Sequence, residues 1–151
     1  MIRSIALELE NTLNRQLPLL CAIPETVMLF KPSAEKWSKK EVVGHIIDSA
    51  QNNIRRFIVG QYESEPKIIY NQDKWVSLGC YQQYDLSDLV SLWWLLNKHI
   101  CNILRYMPEE AAMRKCETAE LHTIEWLAQD YIKHLQHHMH LVLDLEPVAY
   151  P

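Results

Sequence analysis

Apolar residues recur at three- and four-residue steps in four stretches of the chain, the pattern of helices that each bury one stripe. The first stretch runs from about Arg3 to Leu17, with Ile5, Leu9 and Leu13 at four-residue spacing. Pro18 and Pro24 are expected to break or bend the chain after it, and "LFKPSAEKWS" reads as an irregular link. The second begins at Ser38. There S-K-K-E sets Glu41 three residues beyond a capping serine, a capping box. Val42, Ile46, Ala50 and Ile54 supply its apolar positions, and the pattern fades near Gly60. The third covers 86–106 and holds "LVSLWWLLNKHICNILRYM", with Asp85 or Ser87 as its cap and Pro108 behind it. The fourth starts near Thr118 or His122, is taken over 121–145, and gives way to Pro147 and Pro151.

Residues 61–84, "QYESEPKIIYNQDKWVSLGCYQQY", show no sustained period. A polar connection of this length can cross a bundle from end to end. No stretch alternates apolar and polar like a half-buried strand, and there are no internal repeats. The expectation is an all-α fold over a single domain, 1–151: a four-helix bundle in up-down-down-up order. The long crossover joins helices two and three and leaves them parallel, so helix two runs antiparallel to helix four.

Composition narrows the function classes. Apolar residues make up 48% of 151, with five Trp and seven Tyr, so the chain can bury a core. A net charge of −4 without a basic run offers no footprint for nucleic acid or an anionic membrane. Cys21, Cys80, Cys101 and Cys116 lie far apart and form no C-x-x-C, so they read as reduced, mostly buried thiols. Glu8 and Glu10 stand where a secretory leader would be apolar, and "LVSLWWLL" is too short to span a bilayer. A cytoplasmic location is expected.

The run "DYIKHLQHHMH", residues 130–140, holds four of the seven histidines. The steps 124, 127, 131, 134, 138, 141 and 145 trace one stripe of the fourth helix, and His134 and His138 fall on it. His137 and His140 flank it and read as surface residues. Side chains at i and i+4 have Cβ atoms about 5–6 Å apart, so two imidazoles so placed can reach one ion, at about 2.0–2.1 Å for zinc. Alone, such a pair also fits hydrogen-bonded core histidines or a wet helix face. His45, two turns into helix two, is the candidate partner: alone it would read as a satisfied structural residue, but the antiparallel arrangement sets it level with His134 and His138, which favours metal. Asp48 and Asn52, at +3 and +7 from His45, extend a polar stripe along the same helix. Gly44 beside it permits a close approach, or serves packing. His99 and Cys101 face differently and read as structural, and His122 lies too far from His134 to share its ion.

The segments "KWSKKEVVGHIIDSAQNNIRRF" and "DYIKHLQHHMHLVL" resemble the DinB/YfiT-like metalloenzyme superfamily, and the resemblance extends over nearly the whole chain, including "KPSAEKWS" and "YNQDKWV". It implies a four-helix bundle, a homodimer, and a divalent ion held by His45, His134 and His138. It implies no DNA binding.

A site of three histidines leaves coordination positions open and so reads as catalytic rather than structural. Either a bound water is activated near neutral pH, or a low-molecular-weight thiol binds as thiolate. The expected activity is therefore hydrolysis or thiol transfer on a small-molecule substrate. Zinc or nickel is the first expectation, with iron or manganese as further options. Asp48 is the candidate for proton handling, either as general base or as acceptor for a ligand ring; the alternative is a pairing with Arg55 or Arg56. Asn52, Asp73 and Trp75 are candidates for substrate contact. H-L-Q-H-H lacks the glutamate that a zincin places after its first histidine, which excludes peptidase chemistry of that type. The rival reading is a non-catalytic metal-binding or dimerising helical module.

Overall fold

Local signals start most of the helices. The computed structural model describes residues 1–151 and orders them as α1 (Ile2–Cys21), α2 (Glu25–Leu29), α3 (Lys39–Val59), α4 (Gln72–Gly79), α5 (Leu86–Tyr106), α6 (Glu109–Ala112), β1 (Lys115–Glu117), β2 (Leu121–Thr123) and α7 (Ile124–Val142). The capping box forms in full: Ser38 Oγ accepts from the Glu41 amide at 3.1 Å and Glu41 returns a carboxylate oxygen to the Ser38 amide at 3.1 Å. Asp85, Asn71 and Thr123 cap α5, α4 and α7 by the one-way bond alone, each side chain accepting from the amide three residues on.

The long helices α1, α3, α5 and α7 form the four-helix bundle around one apolar cluster that includes Leu9, Ile46, Trp93 and Leu135. Their directions follow from cross-helix pairs. Lys39 Nζ bonds the Val142 carbonyl at 2.7 Å, while at the other end a Cβ on Gly60 would meet Ile124, so α3 and α7 are antiparallel. Ser38 bonds Gln82 just before α5, and Arg114 beyond its end bonds the Gly60 carbonyl, so α3 and α5 are parallel. Glu10 pairs with Lys98 and Arg105, and the N-terminal ammonium with Glu109, so α1 opposes α5. The order is up-down-down-up.

Three local expectations needed correction. Pro18 does not end α1, which continues to Cys21. The proline forfeits its own bond to the preceding turn, but buried Leu20 holds the last turn in the core, and the Ala22 and Ile23 amides close on the Leu19 and Leu20 carbonyls. The crossover is not irregular throughout, because α4 and a 3₁₀ turn at Tyr81–Gln83 occupy part of it. The chain also contains strands: β1 and β2 pair antiparallel with Lys115 opposite Thr123, and Lys67 bridges to Glu117. Each strand has three residues, too few for alternation to register in sequence. Helix four accordingly spans Ile124–Val142 rather than 121–145. No helix is long and apolar enough to cross a membrane.

Candidate metal centre

Helix α3 is walled in by α5, α7 and the crossover, so both apolar and polar residues along it are buried, His45, Asp48, Ser49, Asn52 and Asn53 among them. His45 points at α7. Its Nε2 lies 3.1 Å from His134 Nε2, and its ring centroid is 5.0 Å from that of His134 and 4.7 Å from that of His138. One nitrogen from each of the three rings lies within 4.8 Å of the others. Two nitrogens bound to one zinc at about 2.0–2.1 Å in tetrahedral geometry stand roughly 3.3 Å apart, close to the His45–His134 separation. The sequence-predicted triad is thus brought together.

Burial sets the protonation. It holds His45 down at about 4 and His138 at about 4, and it holds His134 at about 3, where the neighbouring histidines and Arg56 add to the effect. All three rings are neutral at pH 7 and present lone pairs. Two Nε2 atoms 3.1 Å apart share either one proton or one cation, so the donor set fits a divalent ion.

The surroundings are aromatic and polar. Trp37 packs on His45 with centroids 5.0 Å apart. Ser49 Oγ lies 3.4 Å from His134 Nδ1 and 3.3 Å from the Asn53 amide, and Asn53 Oδ1 accepts from Arg56 at 3.4 Å. The Arg56 guanidinium also holds the Ile68 carbonyl of the crossover and lies 5.8 Å from the Tyr70 ring. Neither Arg55 nor Arg56 pairs with Asp48. Instead Asp48 Oδ1 accepts from the Tyr81 hydroxyl, and burial raises its carboxyl to about 6 against the opposing effect of that bond.

The remaining candidates, Asn52, Asp73 and Trp75, engage other partners. The Asn52 amide is committed to the Asp48 carbonyl at 2.9 Å. Trp75, 38% exposed, meets Tyr70 edge-on. Asp73 lines a cavity of about 350 Å³ whose wall includes Trp37 and Tyr81, the residues that back His45 and Asp48.

His137 and His140 are not simply surface residues. Their Nδ1 atoms bond the Val148 and Glu146 carbonyls at 2.6 and 2.7 Å and tie the C-terminal tail along α7. That tail sets the Tyr150 ring 5.2 Å from His134, and its hydroxyl donates to Asp130 at 2.8 Å. Trp37, Ser49, Tyr81 and Tyr150 were not singled out from the sequence. Ser49 was within reach, since it lies one turn beyond His45 on the same face, but the tyrosines sit in aperiodic segments. His99 is exposed while Cys101 is buried, and His122 stands on β2, stacked on Trp126.

The same architecture occurs in YfiT from Bacillus subtilis, described as a probable metal-dependent hydrolase with an unusual four-helix bundle topology. It is 21% identical with a TM-score of 0.78 over 95% of this chain and 82% of that one. No curated protein matches the sequence. The DinB superfamily model matches residues 8–142, a span that contains all three histidines and both helices that carry them, and the chain therefore belongs to the DinB superfamily.

Proposed function

We propose that this protein is a metal-dependent enzyme acting on a small molecule, with a divalent ion held by His45, His134 and His138 and a reaction of hydrolysis or transfer to a low-molecular-weight thiol. The observation that carries the reading is the convergence of three neutral imidazoles, one of them fully buried, within 4.8 Å of one another. An ion held there supplies Lewis-acid polarisation to a substrate or to the attacking water or thiol. The chain's own part is to present uncharged ligands, which leave the ion's charge uncompensated, and to wall the site with Trp37 and Tyr150. Asp73 and Trp75 contact the substrate from the crossover, and Asp73 lines a cavity whose size suits a small ligand. Asn52 supports the site from behind by fixing the α3 backbone at Asp48.

The test is to load purified protein separately with zinc, nickel, iron and manganese and to assay a panel of ester, amide and epoxide hydrolyses and thiol–electrophile conjugations beside His134→Ala. Turnover by a loaded form that the variant lacks supports the reading. Stoichiometric metal binding with stabilisation but no turnover would favour the non-catalytic module.

A further inference from the structure

Two buried polar atoms near the metal centre have no hydrogen-bond partner: His45 Nδ1 and Asp48 Oδ2. They belong to residues three apart on α3, whose Cβ atoms are about 5–6 Å from each other in any helix. Their chemistry is complementary. His45 directs Nε2 at His134, so an ion bound there leaves the proton of a neutral imidazole on Nδ1. A buried N–H without an acceptor is costly. Asp48 offers a free carboxylate oxygen, because Tyr81 already satisfies Oδ1.

Tyr81 is held with unusual care for a residue outside the long helices. A Cβ on Gly44 would come within 2.1 Å of the Tyr81 ring, and one on Gly79 within 2.7 Å. Both glycines leave room that only the missing side chains provide. Cys80, in the left-handed conformation at φ 53°, turns the chain into the 3₁₀ segment that delivers the ring. The result is a phenol pressed on α3 next to a metal ligand, with its hydroxyl on the carboxylate one turn further on.

We propose that Asp48, oriented by Tyr81, is the positioning residue of the metal centre: Oδ2 accepts the Nδ1–H of His45, directly or through one bridging water, and fixes that ring with Nε2 toward the ion. The Tyr81–Asp48–His45 row couples the crossover to the metal. It assigns Asp48 to ligand orientation rather than to general-base catalysis, and it rests on the three-histidine reading above. Metal-ligating histidines regularly take such a carboxylate partner, and loss of the partner weakens metal binding by about 10–100-fold.

The experiment is a zinc titration against a chromophoric chelator on wild type, Asp48→Asn, Tyr81→Phe and His134→Ala, with thermal midpoints of the chelator-stripped proteins alongside. Zinc affinity should fall by about 10–100-fold in Asp48→Asn and by a smaller factor in Tyr81→Phe, beyond any change in the stripped midpoints. In the zinc-loaded wild type, ¹H–¹⁵N spectra should show a slowly exchanging His45 Nδ1–H resonance that shifts in both variants. If Asp48→Asn does not fold, Tyr81→Phe, which removes one oxygen, decides. Affinities within about twofold of wild type in the folded variants, with His134→Ala abolishing binding, would overturn the positioning role and leave the three-histidine site standing. Unchanged affinity in His134→Ala would overturn both.

Discussion

Gly44→Ala should destabilise the protein although alanine is the better helix former. Within α3 the substitution gains about 1 kcal/mol of helix propensity. The added Cβ meets Tyr81 Cδ2 at 2.1 Å and two further ring atoms at 2.3 and 2.5 Å, far inside van der Waals contact. The ring is 6% exposed and seated against Gly79 as well, so it cannot slide aside without leaving its pocket. Overpacking of this kind costs about 1–3 kcal/mol. Displacing the phenol also strips Asp48 of its hydrogen-bond donor, which costs about 1.5–3 kcal/mol for a bond to a charged group. The net is a loss of roughly 1.5–5 kcal/mol, or about 3–20 °C in the thermal midpoint of a chain this size. Far-ultraviolet circular dichroism melts on chelated protein measure it. The decisive control is the same substitution in a Tyr81→Ala background. There the clash is gone, and Gly44→Ala should be neutral or stabilising. A neutral Gly44→Ala in the wild-type background, or an equal cost in both backgrounds, would refute the reasoning.

Stability of the chelated protein should fall with pH between about 6.5 and 4. Unfolded imidazoles protonate near 6.5, whereas burial holds His45, His134 and His138 at about 4, 3 and 4, so the unfolded state binds more protons in that window. Asp48, raised to about 6, works in the opposite sense and offsets one of the three. Denaturant melts at stepped pH should show this slope, and His134→Gln should flatten it. With an aromatic thiol reagent, native protein should label quickly at exposed Cys21 and Cys80 only, because Cys101 and Cys116 are buried and burial raises both thiols, Cys101 to about 11. Labelling of all four at one rate in the native state would contradict the core. Tyr150→Ala should speed zinc release to a chelator severalfold, since the ring that packs against His134 is lost. An unchanged rate would show that the tail does not limit access.

What could be read from the sequence was whatever repeats at helical spacing or sits in a local cap. Ser38 and Glu41 lie three residues apart, and the structure closes their box as expected. His134 and His138 are one turn apart, and His45 needed only the antiparallel register to meet them. The missed features depend on segments without a period. Tyr81 reaches Asp48 through a left-handed Cys80 that nothing in the local sequence marks. Tyr150 is placed by the hydrogen bonds of His137 and His140 to the tail, contacts that exist only once the tail has folded back. The β1–β2 pairing is held by three residues on each side and by a bridge to Lys67, about fifty positions earlier. Pro18 misled because the helix end is decided by the burial of Leu20, not by the one bond that proline lacks.

The account depends on one ion bound by three imidazoles at the α3–α7 interface. Crystals of zinc-loaded protein, with diffraction recorded on both sides of the zinc absorption edge, test this most directly. The predicted result is a single strong anomalous peak at about 2.0–2.1 Å from one nitrogen each of His45, His134 and His138. A peak elsewhere, or none at these rings from protein carrying stoichiometric zinc, would contradict it.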